Sequence, residues 1–170
     1  NHPISQQPSF QVEMVDTLNQ LIPCTYFYVA AGQNIPGFFN STTPGVIYKP
    51  WTTVLIDLTP YIGQNLTIRF STFDCSLGGH FGYAYIDGVC QAFTGGGTAT
   101  VCAGSTHTFC APSGLASYMW NGPSVTNFIG QCCPVTAPGV YTVSTTLYSN
   151  CIGPQFIYTL TTQTSIPSRV

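Results

Sequence analysis

Apolar and polar residues alternate with a period of two along much of the chain. Phe10, Val12 and Met14 alternate with Gln11 and Glu13, with Val15 breaking the order. Val54, Ile56 and Leu58 mark a second apolar face. The cleanest alternation sets Leu66, Ile68 and Phe70 against Thr67, Arg69 and Ser71. Phe81, Tyr83 and Tyr85 follow, then Tyr141, Val143, Thr145 and Leu147, then Phe156, Tyr158 and Leu160. A period of two places alternate side chains on opposite faces of a strand, so each run predicts a strand with one buried face. Thr, Val, Ile, Tyr and Phe dominate these runs and fit a pleated surface. Pro36-Gly37, Pro44-Gly45, Pro60 and Pro138-Gly139 punctuate the gaps. No stretch carries the period of an amphipathic helix. The pattern predicts an all-β chain.

Thr94-Gly95-Gly96-Gly97 interrupts the pattern. Consecutive glycines carry a high entropic cost inside an element, so this stretch reads as a hinge. It predicts one module over 1–93, a hinge over 94–97 and a second module over 98–170. Either size can support its own small core.

Charge narrows the function classes. Asp, Glu, Lys and Arg make up 5% of the chain, against roughly a quarter in ordinary globular proteins. Lys49, Arg69 and Arg169 are the only strong cations. Three scattered cations cannot neutralise a phosphate backbone or form a polybasic lipid patch, which argues against nucleic-acid and anionic-membrane partners. Hydrophobic residues are 44% of the chain, with many Tyr and Phe, so a core can form despite the low charge. No apolar run is long enough to span a bilayer. The chain opens on Asn1 in polar sequence with no recognisable signal peptide, which reads as a processed product or a piece of something longer.

Eight cysteines suit an oxidising compartment better than the cytosol. None is spaced C-x-x-C, so zinc is not indicated. Cys24, Cys75 and Cys90 precede the glycines; Cys102, Cys110, Cys132, Cys133 and Cys151 follow them. Both counts are odd, so either a disulfide crosses the hinge or each half keeps a cysteine without an internal partner. Adjacent Cys132 and Cys133 must face opposite ways if they lie on a strand.

Several motifs resemble a known arrangement. They are His2-Pro3, Gln7 to Val12, Tyr48-Lys49-Pro50-Trp51, Ile56 to Gln64, and Asp74 to Asp87. Together they resemble a jelly-roll-type module of very large secreted Bacteroidetes proteins, including gliding-motility-associated surface proteins. Gly82 to Asp87 is similar to the last strand of MAM-like and lectin-like jelly rolls. Val101 to Ser105, Ala111 to Gly114, Tyr118-Met119-Trp120 and Ala137 to Val143 resemble the Ig-like or PKD-like repeats that follow such modules. Cys110, Cys132 and Cys133 depart from that pattern. The resemblance implies that the first module lacks N-terminal strands, which a preceding segment or a neighbouring subunit would supply. It also implies that Trp120 is a core residue near a Cys102–Cys151 bridge. Cys24–Cys75 is the expected pairing in the first module, leaving Cys90 to reach Cys132 or Cys133.

Candidate chemistry is sparse. Asp74 and His80 flank a Gly-rich loop that could hold a metal or form part of a sugar-contacting rim. The plainer reading is a tight, disulfide-anchored turn whose polar groups satisfy the backbone. One Asp and one His fall short of a Ca²⁺ shell, though backbone carbonyls could complete a structural site. No cofactor and no other metal site is indicated. Trp51, with Tyr83 and Tyr85, could stack on a sugar, or could fill a core. His2, His80 and His107 show no nucleophile–base motif, and Asp57, Asp74 and Asp87 offer only a generic carboxylate set, so an enzyme is not expected. Asn40 and Asn65 head N-glycosylation sequons. Asp16-Thr17-Leu18 resembles a short Bacteroidetes O-glycosylation motif at Thr17. The expectation is a secreted, non-enzymatic structural or adhesive module of a cell-surface protein or fibre. Its partners would be neighbouring modules, fibre subunits or a surface glycan. A carbohydrate-binding module is the alternative, and a glycan-active enzyme fragment the third reading.

Overall fold

The computed structural model describes residues 3–32, 37–92 and 94–163. His2, Pro36 and Arg169, named above, lie outside these. The described residues are all-β with two short 3-10 turns, as the alternation predicts. The chain divides into two compact units, Asn1–Cys90 and Gln91–Val170.

The first unit holds β1 (Ser9–Val15), β2 (Phe27–Ala30), β3 (Phe39–Asn40), β4 (Ile47–Tyr48) and β5 (Thr67–Phe73). β1 is central in an antiparallel sheet ordered β2-β1-β5, and β3 and β4 form a separate hairpin. Val12 faces Phe27 and Phe70, and Met14 faces Ile68, so these residues share the apolar face. Met14 is buried, yet Ile68 and Phe70 on edge strand β5 remain half exposed. On the opposite face Glu13 lies across from Arg69, and their side chains form an ion pair at 2.7 Å. Thr25 is buried and fully used: its hydroxyl donates to the Ile22 carbonyl at 2.8 Å and accepts from the Met14 N–H at 3.3 Å.

Two expected strands do not form. Residues 54–58 and 81–85 pair with no ladder. Phe81, Tyr83 and Tyr85 all stand in solvent instead of filling a core. Alternation alone cannot distinguish such a segment, which has no ladder partner, from a strand.

The second unit is a β-sandwich built from β6 (Gly97–Cys102), β7 (His107–Cys110), β8 (Ser117–Gly122), β9 (Val125–Ile129), β10 (Cys132–Val135), β11 (Gly139–Thr146) and β12 (Phe156–Gln163). Five strands are ordered β6-β12-β11-β8-β9, with β6 parallel to β12. β7 and β10 form the second sheet. Alternate residues of β11 and β12 are buried, including Tyr141, Val143, Tyr158 and Leu160. Phe109 of β7 meets the rings of Tyr158 and Tyr141 at 5.0 and 6.1 Å, which ties the two sheets together. Trp120 is 0% exposed, packs 5.2 Å from Tyr158, and donates its indole N–H to the Gly130 carbonyl. It is the core residue the sequence suggests. The Tyr141 hydroxyl donates to the Ala137 carbonyl four residues upstream and meets Ser124 Oγ at 2.7 Å. That bond fixes the corner leading into β11.

The glycine stretch is docked rather than hinging. Gly97 opens β6, and a Cβ on Gly95 would run into the Phe156 ring. Gly96 has φ +101°, and a Cβ there would meet the Ile157 carbonyl. These glycines let β6 lie close against β12.

The cysteine map differs from the expected one. Cys110 and Cys132 face each other across β7 and β10 and form a disulfide. Cys24 and Cys151 each belong to a disulfide. Cys75, Cys90, Cys102 and Cys133 are free thiols. Cys102–Cys151 and Cys24–Cys75 therefore do not form, and Cys90 bonds to neither Cys132 nor Cys133. Cys102 sits at the exposed end of β6, while the buried Cys75 thiol donates to the Gly78 carbonyl at 3.2 Å within its own turn. Two points hold: the first half does keep cysteines without an internal partner, though these are Cys75 and Cys90 rather than a bonded Cys75, and Cys132 is exposed while Cys133 is buried, as neighbours on one strand must be.

Candidate functional site

The residues singled out for recognition lie in the first unit and are mostly in solvent. Trp51 is 74% exposed, Tyr83 72% and Tyr85 80%. The Tyr83 and Tyr85 rings meet edge to face, with centroids 6.0 Å apart. Trp51 lines an open cleft of about 310 Å³ with Thr52, Val54, Asp87 and Val89. The cleft thus combines an indole face, a hydroxyl and one carboxylate. Such a set can stack on an apolar ring face and accept a hydrogen bond from a hydroxyl. A second cleft of about 440 Å³ is lined mainly by apolar groups, among them Leu58, Leu66 and Ile68.

The loop after β5 is a self-satisfied turn. Asp74 Oδ1 accepts the Gly82 N–H at 3.1 Å, and Cys75 N–H donates to the His80 carbonyl at 3.1 Å. Gly78 and Gly79 have φ of +73° and +90°, conformations that glycine adopts without a Cβ penalty. Asp74 and His80 thus sit at the two ends of one turn, but the disulfide expected to anchor it does not form, since Cys75 is a free thiol. Among the described residues no three His, Cys, Asp or Glu side chains converge as a metal-binding group.

The three modification candidates are exposed. Asn40 lies on β3 and Asn65 precedes β5. Thr17 stands in a turn where Asp16 Oδ1 accepts the N–H groups of Leu18 and Gln20. In the second unit, burial pushes the Cys133 thiol pKa upward, which leaves it protonated and unreactive inside the sandwich.

Sequence reasoning passed over one feature. Tyr26 and Tyr28 lie on the same side around the start of β2, on the face that carries Glu13 and its ion-pair partner Arg69. Their signal was the alternation Tyr26-Phe27-Tyr28-Val29, in which the aromatic hydroxyl-bearing side is the polar one. No helix among the described residues is long and apolar enough to cross a membrane. The fold defines an all-β, disulfide-bonded protein of two compact units. No family model matches the chain, and no curated protein matches it.

Proposed function

We propose that this chain is a non-enzymatic structural or adhesive part of an extracellular cell-surface protein or fibre. The observation that carries the reading is the Cys110–Cys132 bridge, which staples a two-stranded sheet and suits an oxidising compartment. The second unit reads as an Ig-like or PKD-like module. Its support is the Trp120 core, the Tyr141 corner and the parallel β6–β12 pair. The first unit reads as a jelly-roll-like module whose partners are neighbouring modules or fibre subunits. Half-exposed Ile68 and Phe70 on an edge strand support that assignment.

A second reading, a carbohydrate-binding module, is favoured by the exposure of Trp51, Tyr83 and Tyr85. Aromatic rings facing solvent beside a carboxylate are a recognition surface rather than a core. Beads coated with the chain should be retained under flow on plates carrying cell-surface glycans or whole cells. Retention no greater than that of uncoated beads on every surface would reject the adhesive reading.

A further inference from the structure

The outer, polar face of the three-stranded sheet carries an ordered aromatic pair. Tyr28 on β2 lies opposite Gln11 of β1, which in turn lies opposite Ser71 of β5. One step along, Glu13 lies opposite Arg69. Side chains two residues apart on a strand share a face, so Tyr26, which precedes β2, projects on the side of Tyr28. The two rings are near-parallel, 7° apart, with centroids separated by 6.3 Å. Both are exposed. Glu13 lies close enough to Tyr26 to help raise its phenol pKa, behind partial burial and Tyr28.

The polar groups beside the rings are held in place. The Arg69 guanidinium donates one N–H to Glu13 Oε1 at 2.7 Å and another to Asn19 Oδ1. Glu13 is mostly covered, with 15% of its side chain exposed, whereas Arg69 is 40% exposed. A guanidinium has five N–H donors, so donors remain for a ligand after these two bonds. The Glu13 charge offsets that of Arg69, which makes the face neutral overall. Tyrosine offers a rigid stacking surface with little side-chain entropy to lose on binding.

We propose that Tyr26 and Tyr28, flanked by Arg69 and Glu13, form a binding platform for a neutral oligosaccharide. The apolar face of a sugar ring stacks on the tyrosines, and its hydroxyls bond to the Arg69 guanidinium and the tyrosine hydroxyls. Net neutrality favours an uncharged glycan over a sulfated or uronic one. The proposal rests on the carbohydrate-binding reading and adds a contact surface on the sheet face to the one at Trp51, Tyr83 and Tyr85.

The test uses the full chain and a panel of cellohexaose, laminarihexaose, mannohexaose and chitohexaose, with a heparin hexasaccharide as the charged control, read by calorimetry. The paired substitution Tyr26→Ala and Tyr28→Ala should weaken binding of a neutral hexasaccharide by about tenfold or more. Tyr26→Phe with Tyr28→Phe keeps the rings and should retain most of the affinity. Arg69→Gln should weaken binding with the rings intact. Cooperative unfolding of each variant guards against misreading a folding defect. Loss of binding on Trp51→Ala, with full binding by the Tyr26/Tyr28 alanine variant, overturns this placement and leaves the carbohydrate reading standing. Preference for the heparin fragment overturns the neutral-ligand assignment. Absence of binding to every neutral sugar by the unmodified chain overturns both the platform and the carbohydrate reading.

Discussion

Replacing Cys110 and Cys132 together by serine isolates the contribution of one cross-link. Both residues face outward on the two-stranded sheet, so the serines meet water and bury no unsatisfied hydroxyl. The bridge spans a sequence separation of 22. On the chain-entropy model, closing a loop of this length in the unfolded ensemble stabilises by about 3 kcal/mol. Four residue pairs join β7 to β10, and among the described residues no third strand hydrogen-bonds to this sheet. The bridge is therefore a large share of what holds this sheet. For a unit of this size the substitution should lower Tm by roughly 12–24 °C. Trp120 offers the readout, since it is fully buried in the second unit while Trp51 already faces solvent. Urea unfolding followed by indole emission, under non-reducing conditions, should show an earlier midpoint. A loss below about 1 kcal/mol would refute the loop-closure reasoning.

Further expectations follow from the same packing. Gly96→Ala forces a side chain into a positive-φ site against the Ile157 carbonyl and should cost at least about 2 kcal/mol; a free hinge would tolerate it within about 1 kcal/mol, as thermal unfolding can decide. Trp120→Ala should cost about 3–5 kcal/mol by denaturant titration, whereas exposed Trp51→Ala should stay within about 0.5 kcal/mol. Burial raises the Cys133 pKa in the folded state, so its contribution is complete below the ordinary thiol value and is lost as pH rises above it. Stability should fall on the alkaline side, and Cys133→Ala should flatten that fall in unfolding curves measured across the range.

Much of the second unit was legible because its alternation coincides with real burial. Tyr141, Val143 and Thr145 are buried on β11, and Phe156, Tyr158 and Leu160 on β12, as period two requires. In the first unit the same signal found β1 and β5 but misled elsewhere. Phe81, Tyr83 and Tyr85 alternate but have no paired strand, because period two records a preference for one face without supplying a hydrogen-bonding neighbour. The glycines misled for a related reason. Three in a row signal either freedom or close approach, and only the Phe156 ring and the Ile157 carbonyl show that approach is the cause. Disulfide partners lay beyond the sequence altogether. The Cys110–Cys132 bond depends on the β7–β10 register, which no spacing rule encodes. Tyr26 and Tyr28 were visible as an alternation, but their parallel rings and the Glu13–Arg69 pair beside them emerge only once β1, β2 and β5 are aligned.

The most direct test of an oxidised, surface-exposed β protein is a thiol map of the chain recovered from outside intact cells. Alkylation before and after unfolding, without reductant, followed by peptide mapping reads every cysteine. The account predicts a Cys110–Cys132 disulfide peptide, rapid labelling of exposed Cys90 and Cys102, and labelling of buried Cys75 and Cys133 only after unfolding. Recovery of the chain only from inside cells, with Cys110 and Cys132 both alkylated before any reductant is added, would contradict it.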